Sequence, residues 1–275
     1  MAIGLVRSEV GGVAVHSDPE LLRRHGILVA FSERLGGRSA APFSSLNLAA
    51  HVGDVPSCVD DNRAILMAAL GIELLRERLT VSEQVHGLVV REVLGAMAGM
   101  GAFARPGTPP PVPSTDAMYT LQAETPLMLC FADCVPVVLV ASGAIRGVAV
   151  VHAGWRGALG RLPADAAVRL AAACGCEVSS LTAYIGPHIG ACHYQVGPDV
   201  LSQFTDAFGS IAAVQGRLDL GAVVSESLNG VGVPVASQVR LRSCTAERTD
   251  SFFSYRAEPL TGRHGALACI LGSAR

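Results

Sequence analysis

Apolar residues along the chain gather in short runs with little alternation. Residues 127–131, 135–140 and 147–151 are almost wholly apolar, which is how strands covered on both faces read. Residues 27–31, 181–185 and 266–270 predict further strands. Residues 79–85 and 88–93 predict two more, with His86-Gly87 between them or at their junction. Ile65, Leu66, Ala69 and Leu70 fall on one helical face, with Ser57 or Asp60 as the cap and Gly71 as the stop. Pro163 opens a second helix through Ala173, ended by Gly175. Pro198 starts a third, with Leu201, Phe204 and Phe208 on one face, and residues 218–228 predict a fourth. Residues 97–115 break the pattern with Pro106, Pro109, Pro110, Pro111 and Pro113, so they are expected to form a mobile lid or a disordered insertion. The whole predicts one compact α/β domain (α+β layered) over residues 27–275, with mixed β-sheets flanked by helices. Residues 1–26 are an N-terminal extension or edge strands.

Composition supports a folded enzyme: of 275 residues, 50% are hydrophobic and 16% charged. The net charge of −2, without a Lys/Arg run, argues for neither nucleic acid nor a membrane surface as partner. The most apolar stretch, 126–140, is interrupted by Asp133 and falls short of the ~20 residues of a membrane span. The first 15 residues hold no signal-peptide core, so a cytoplasmic protein is expected. In that reducing compartment the eight cysteines are ligands, nucleophiles or small buried hydrophobes rather than disulfides.

Three segments place a reactive side chain at a predicted strand end: Glu83-Gln84-Val85-His86-Gly87, Phe131-Ala132-Asp133-Cys134, and Val151-His152-Ala153-Gly154-Trp155-Arg156-Gly157. Strand ends in α/β folds converge on one edge, where sites form. Two imidazoles and one thiolate, His86, His152 and Cys134, make a zinc ligand set that leaves a fourth position open. Spacings of 48 and 18 residues form no compact metal motif. Asp133 is an acid within an apolar run, and burying it requires a partner.

These segments resemble the signatures of the YfiH family, also called the multi-copper polyphenol oxidoreductase or laccase-domain family, related to the animal protein FAMIN. Arg34-Leu35-Gly36-Gly37 with Ser45-Leu46-Asn47-Leu48, Thr115-Asp116-Ala117, Gly186-Pro187-His188-Ile189-Gly190 with Tyr194-Gln195-Val196-Gly197, and Phe253-Ser254-Tyr255-Arg256 with Thr261-Gly262-Arg263 extend the resemblance over about residues 27 to 270. It implies zinc, rather than copper, on His86, Cys134 and His152. It also implies phosphorolysis of adenosine, inosine or methylthioadenosine, and deamination of adenosine. The partners are then a purine nucleoside and phosphate, in a monomer or homodimer. The chain departs from the family where cysteines common in the Gly-Pro turn are His188 and His193, with Cys192 kept. Gln195 replaces a usual Glu, and Ala257 stands where a second basic residue often follows Arg256.

For such a reaction Arg34 or Arg156 is expected to hold phosphate through paired N–H donors, Arg34 alternatively being a solvated surface residue. Asn47 bonds phosphate or ribose, or is a structural turn residue. Asp133 is a candidate general acid/base, or the orienter of a ligand histidine. Gln84 reads a base or ribose edge, or packs. The zinc-deaminase signature of His-x-Glu with Pro-Cys-x-x-Cys is absent, so deamination would use different parts. Three rivals stand beside this reading. One is a hydrolase editing peptidoglycan precursors, with Cys134 as nucleophile and His86 or His152 as base. Another is a laccase-like polyphenol oxidase, which eight histidines without a His-x-His pair suit poorly. The last is a non-catalytic zinc-binding partner protein of the cell-division or cell-wall machinery.

Overall fold

The computed structural model describes residues 4–272. In chain order its strands are β1 (Val6–Val10), β2 (Val13–Ser17), β3 (Ile27–Ser32), β4 (Thr80–Val81), β5 (Val90–Glu92), β6 (Ala117–Thr120), β7 (Leu127–Phe131), β8 (Val135–Ser142), β9 (Arg146–Ala153), β10 (Thr182–Ile185), β11 (Ala213–Val214), β12 (Arg217–Leu218), β13 (Gln238–Arg240) and β14 (His264–Ile270). The helices are α1 (Pro19–His25), α2 (Pro56–Ala69), α3 (Trp155–Leu159), α4 (Leu162–Cys174), α5 (Pro198–Phe208) and α6 (Leu220–Gly230).

Two six-stranded mixed sheets carry the fold, ordered β1-β2-β3-β14-β7-β4 and β13-β10-β8-β9-β6-β5. They stack face to face: Ile27, Val29, Phe31 and Leu129 of the first meet Met118, Val138 and Val150 of the second in one buried cluster. The alternate side chains point outward. Leu28, Met128 and Leu267 pack on Leu66 and Met67 of α2. Val137, Leu139 and Val151 pack on Leu170 of α4 and on Val223 and Leu228 of α6. The layers therefore run helix, sheet, sheet, helix. Strands covered on both sides need apolar residues at every position, which accounts for the missing alternation. Each such fully buried side chain contributes about 1.5–3 kcal/mol against the entropy of ordering the chain.

Several elements differ in extent from the sequence expectation, each for a local reason. The strands predicted over 79–85 and 88–93 shrink to β4 and β5, because residues 85–87 turn to donate their N–H groups to one carboxylate. Neither Ser57 nor Asp60 caps α2; Pro56 opens it, and Asp60 accepts instead from the Ala104 N–H at 2.7 Å. The helix predicted from 218 begins at Leu220, where Asp219 accepts from the Ala222 N–H at 2.8 Å. Residues 97–115 are not a free lid. The N–H of Val112 donates to Val81 O at 3.0 Å, and buried Arg63 donates to the carbonyls of Gly101 and Ala102 at 2.8 and 3.0 Å. Among the described residues, no helix is long and apolar enough to cross a membrane.

Candidate metal centre and its cavity

The β8–β9 hairpin explains how residues 18 apart in sequence meet. Its register sets Pro136 opposite His152 and Val135 opposite Ala153, so Cys134 at the mouth of β8 lies beside the end of β9. Asp133 turns the chain from β7 in one sheet to β8 in the other, with φ +86°. His86 comes from the β4–β5 connection, with φ +58°. The three side chains offer ligand atoms that all lie within 4.8 Å of one another. The His86 Nε2 to Cys134 Sγ distance is 3.8 Å, against about 3.5 Å for a sulfur and a nitrogen sharing a tetrahedral zinc. Gly154 lets the strands close this tightly: a Cβ there would sit 2.8 Å from His86 Cδ2 and 3.2 Å from Cys134 Sγ.

Asp116 holds the centre together. It precedes β6, whose Ala117 pairs with Val151, so it faces His152 across the sheet. Its Oδ1 lies 2.8 Å from His152 Nδ1, which leaves Nε2 of that ring for a metal. The same carboxylate accepts the N–H groups of Val85, His86 and Gly87 at 3.2, 3.0 and 2.7 Å, fixing the turn that presents His86. Burial pushes the Cys134 thiol up. The charge of His152, with hydrogen bonds from His152 and His86, outweighs that and holds it down at about 6. For His152 burial works against the charged form. The Cys134 thiolate and the Asp116 carboxylate override it and raise the imidazole to about 9. Each of the two groups thus favours the charged form of the other. The centre's donor set and spacing fit a four-coordinate transition metal with one position open.

The centre forms the floor of a cavity of about 440 Å³, within the range of small-molecule sites. Its walls include Trp155, Tyr194, Tyr255, Arg156, Arg256 and Arg263. Arg156 lies 4.3 Å over the Trp155 ring, Arg256 5.2 Å over Tyr194, and Arg263 5.8 Å from Tyr255. His51 also lines the cavity; desolvation there, then Arg263 and Arg63, hold its imidazole below its ordinary value.

Of the residues singled out from sequence, His86, Cys134, His152, Asp133, Gln84 and Arg156 meet at this cavity, and Arg34 and Asn47 do not. Arg34 is buried against Glu258 at 2.8 Å and the Thr249 carbonyl at 2.6 Å, its guanidinium 4.5 Å over Phe253. It is not a solvated surface residue, and its guanidinium does not line the cavity. Asn47 is fully buried: its amide donates to Ala49 O and Asp54, and its oxygen accepts from the N–H groups of Ala49 and Arg263. It braces the segment just before β14, which carries Arg263. Asp133 is engaged as an acceptor, from the Thr245 and Ser254 hydroxyls at 2.6 and 2.7 Å and the Arg256 N–H at 2.6 Å. That ties the tail to the centre. The orienter of His152 is Asp116. Gln84 pairs like a strand with the backbone of Cys130, at 2.8 Å in both directions. Sequence reasoning missed Asp116, Arg263 and the two tyrosines as site residues. Asp116 had a visible signal, an acid inside one of the segments that resemble the family.

Comparison with known proteins places the chain in a family. Residues 28–271 match the family model described as multi-copper polyphenol oxidoreductase laccase. The chain is 33% identical over 257 residues to purine nucleoside phosphorylase YlmD of Geobacillus stearothermophilus, covering 90% of each. It is 33% identical over 260 residues to purine nucleoside phosphorylase YfiH of Escherichia coli strain K12, covering 92% of this chain and 98% of that one. Among solved structures, YlmD from Geobacillus stearothermophilus superposes with a TM-score of 0.87 at 31% identity, over 96% of this chain and 98% of that chain. The Bacillus licheniformis hypothetical protein YfiH gives 0.83 at 27% identity, over 95% and 97%.

Proposed function

The chain belongs to the multi-copper polyphenol oxidoreductase laccase family, and from that premise we propose that it is a zinc-dependent purine nucleoside phosphorylase. Its substrates are adenosine, inosine and methylthioadenosine, and deamination of adenosine is a second activity of the same centre. The observation that carries this reading is one cavity combining a three-ligand His86–Cys134–His152 floor with aromatic walls and three guanidinium groups.

Phosphorolysis breaks the bond between the purine and C1′ of ribose and joins C1′ to a phosphate oxygen. The chain must therefore hold a flat base, a ribose and an anion in one orientation. Tyr194, Tyr255 and Trp155 offer ring faces for the base. Arg263 and Arg256 use one amino group on backbone carbonyls, of Thr261 and Gly262 and of Gln195 respectively, and keep other N–H groups for phosphate. Arg156, stacked on Trp155, supplies a third cation. His51 faces the same space and suits a ribose hydroxyl, while Gln84, held by the Cys130 backbone, shapes the wall beside it. Zinc, when bound, supplies a Lewis acid against charge that develops on the purine or on an attacking water. Asp116 keeps both ligand histidines aimed throughout.

A second reading has an observation of its own. Cys134 would be the nucleophile, His152, with a ring nitrogen within 4.8 Å of the thiol, the base, and Asp116 the orienter, with the thiol held at about 6. That is the arrangement of a cysteine hydrolase, such as one editing peptidoglycan precursors. One experiment separates the two. Metal-analysed protein is incubated with each nucleoside, with and without phosphate, before and after chelation. Free base formed only with phosphate, lost on chelation and restored by zinc, supports phosphorolysis. No turnover of any nucleoside by zinc-loaded protein contradicts it, and activity on a peptide substrate that survives chelation favours the thiol reading.

A further inference from the structure

A second group of metal-capable side chains lies outside the cavity. Cys192, His193 and Cys244 offer ligand atoms that all lie within 4.8 Å of one another. His193 Nδ1 is 3.2 Å from Cys192 Sγ and 3.5 Å from Cys244 Sγ. Those separations are close to the roughly 3.5 Å between a nitrogen and a sulfur on one tetrahedral zinc. We propose that Cys192, His193 and Cys244 form a second metal site, for a thiolate-preferring ion of the zinc or copper(I) type, distinct from the centre in the cavity.

The surrounding backbone is arranged before any ion arrives. A parallel bridge joins His188 to Cys244, with the His188 N–H on Ser243 O at 3.3 Å and the Thr245 N–H on His188 O at 3.1 Å. The turn holding Cys192 and His193 is thereby fixed against the segment holding Cys244, although 51 residues separate His193 from Cys244. The Gly190 N–H donates to Cys244 Sγ at 3.2 Å, fixing where that sulfur points. Gly190 also gives the ligands room, since a Cβ there would lie 3.1 Å from Cys192 Sγ and 3.4 Å from Cys244 Cβ.

Two soft thiolates and one imidazole select zinc or copper(I) over magnesium or calcium. Binding displaces one proton from each thiol, forms two metal–sulfur bonds and one metal–nitrogen bond, and leaves a divalent ion neutralised. A cavity of about 320 Å³, lined by Cys244, Ser243 and Arg242 among others, adjoins the group and admits a fourth ligand such as water. The site would act on its neighbour. Tyr194 follows His193 into the wall of the large cavity, and Thr245 follows Cys244 onto Asp133. A metal here fastens two segments that shape the substrate cavity, without entering it.

The test is metal stoichiometry on fully reduced, whole protein. Wild type should bind two equivalents of zinc per chain, Cys192→Ser/Cys244→Ser one, and Cys134→Ala should keep the thiol-pair equivalent. Cobalt gives a readout independent of activity, because its thiolate charge-transfer band counts sulfur ligands. The band should rise about threefold in total from one site to both sites, and fall to the single-thiolate level in the double variant. His193→Asn, a surface change, should weaken the second equivalent without altering the fold. A copper(I) titration forms a parallel arm, and selective loss of either metal in the double variant supports the site. One equivalent of zinc and of copper(I) in wild type, two in the double variant, or a Cys192–Cys244 disulfide that forms in air despite excess zinc would overturn it.

Discussion

Two groups of three cysteine and histidine ligands lie in this chain at similar spacing, and their surroundings differ almost completely. His86, Cys134 and His152 sit where the two sheets meet, with a buried carboxylate behind the imidazole and a cavity in front. Cys192, His193 and Cys244 sit on surface turns, with two thiols and one imidazole and a backbone amide as their support. The ligand atoms alone assign no task. The first group has room, aromatic faces and cations for a substrate. The second has a fixed backbone and solvent, which suits a structural fastening.

Several changes should break or sharpen this contrast. The largest effect is expected from Cys134→Ala, which removes a ligand of the cavity centre. It should lower kcat/KM for phosphorolysis by about a thousandfold, roughly 4 kcal/mol of transition-state stabilisation, as steady-state kinetics with zinc analysis would show. Asp116→Asn keeps the shape but weakens the orienter of His152. A loss of 10–100-fold in zinc affinity or activity is expected, together with a lower Tm, because three backbone N–H groups lose a charged acceptor. Unchanged zinc affinity would remove Asp116 from the account. Arg263→Gln should raise the KM for phosphate about tenfold while leaving the KM for nucleoside within a factor of two, about 1.4 kcal/mol on the anion alone. Arg34→Gln is the control: it should lower Tm through its buried pairing with Glu258 and leave the phosphate KM in place.

The dryness behind the cavity centre also predicts a pH effect. His264 is buried beside Phe131 and Phe252, and neither ring nitrogen has a hydrogen-bond partner among the described residues. Burial, then Arg263, pushes its imidazole from 6.5 down to about 3. Between those values the unfolded chain binds a proton that the folded chain does not. Stability should therefore fall as pH drops below about 6.5, by at most about 1.4 kcal/mol per pH unit from this group, until about 3. His264→Leu should flatten that part of the curve, read from urea midpoints at pH 7 and 5. Equal slopes in both proteins would show that His264 carries no share.

Much of this was legible before any coordinates. The apolar runs gave β7, β8 and β9 because strands covered on both faces need no polar positions. His86, Cys134 and His152 stood out as reactive groups at strand ends. The sequence could not show that Asp116 faces His152, because that depends on β6 pairing with β9 across an intervening 30 residues or so. Nor could it show that Arg34 is buried, since an arginine in a glycine turn reads the same whether it meets phosphate or Glu258. An acid in an apolar run needs partners, but those of Asp133 come from Thr245, Ser254 and Arg256, more than a hundred residues away. The Pro-rich segment read as a lid because proline spacing carries no information about Arg63 reaching its carbonyls.

The central claim is that zinc on His86, Cys134 and His152 drives nucleoside phosphorolysis in the adjoining cavity. It is tested most directly in the Cys192→Ser/Cys244→Ser background, where only that centre remains. Metal-free protein is titrated with zinc while phosphate-dependent release of free base from adenosine is followed. Activity should rise linearly and stop at one equivalent per chain. Full activity before any zinc is added, or one equivalent bound with no base released, would contradict the account.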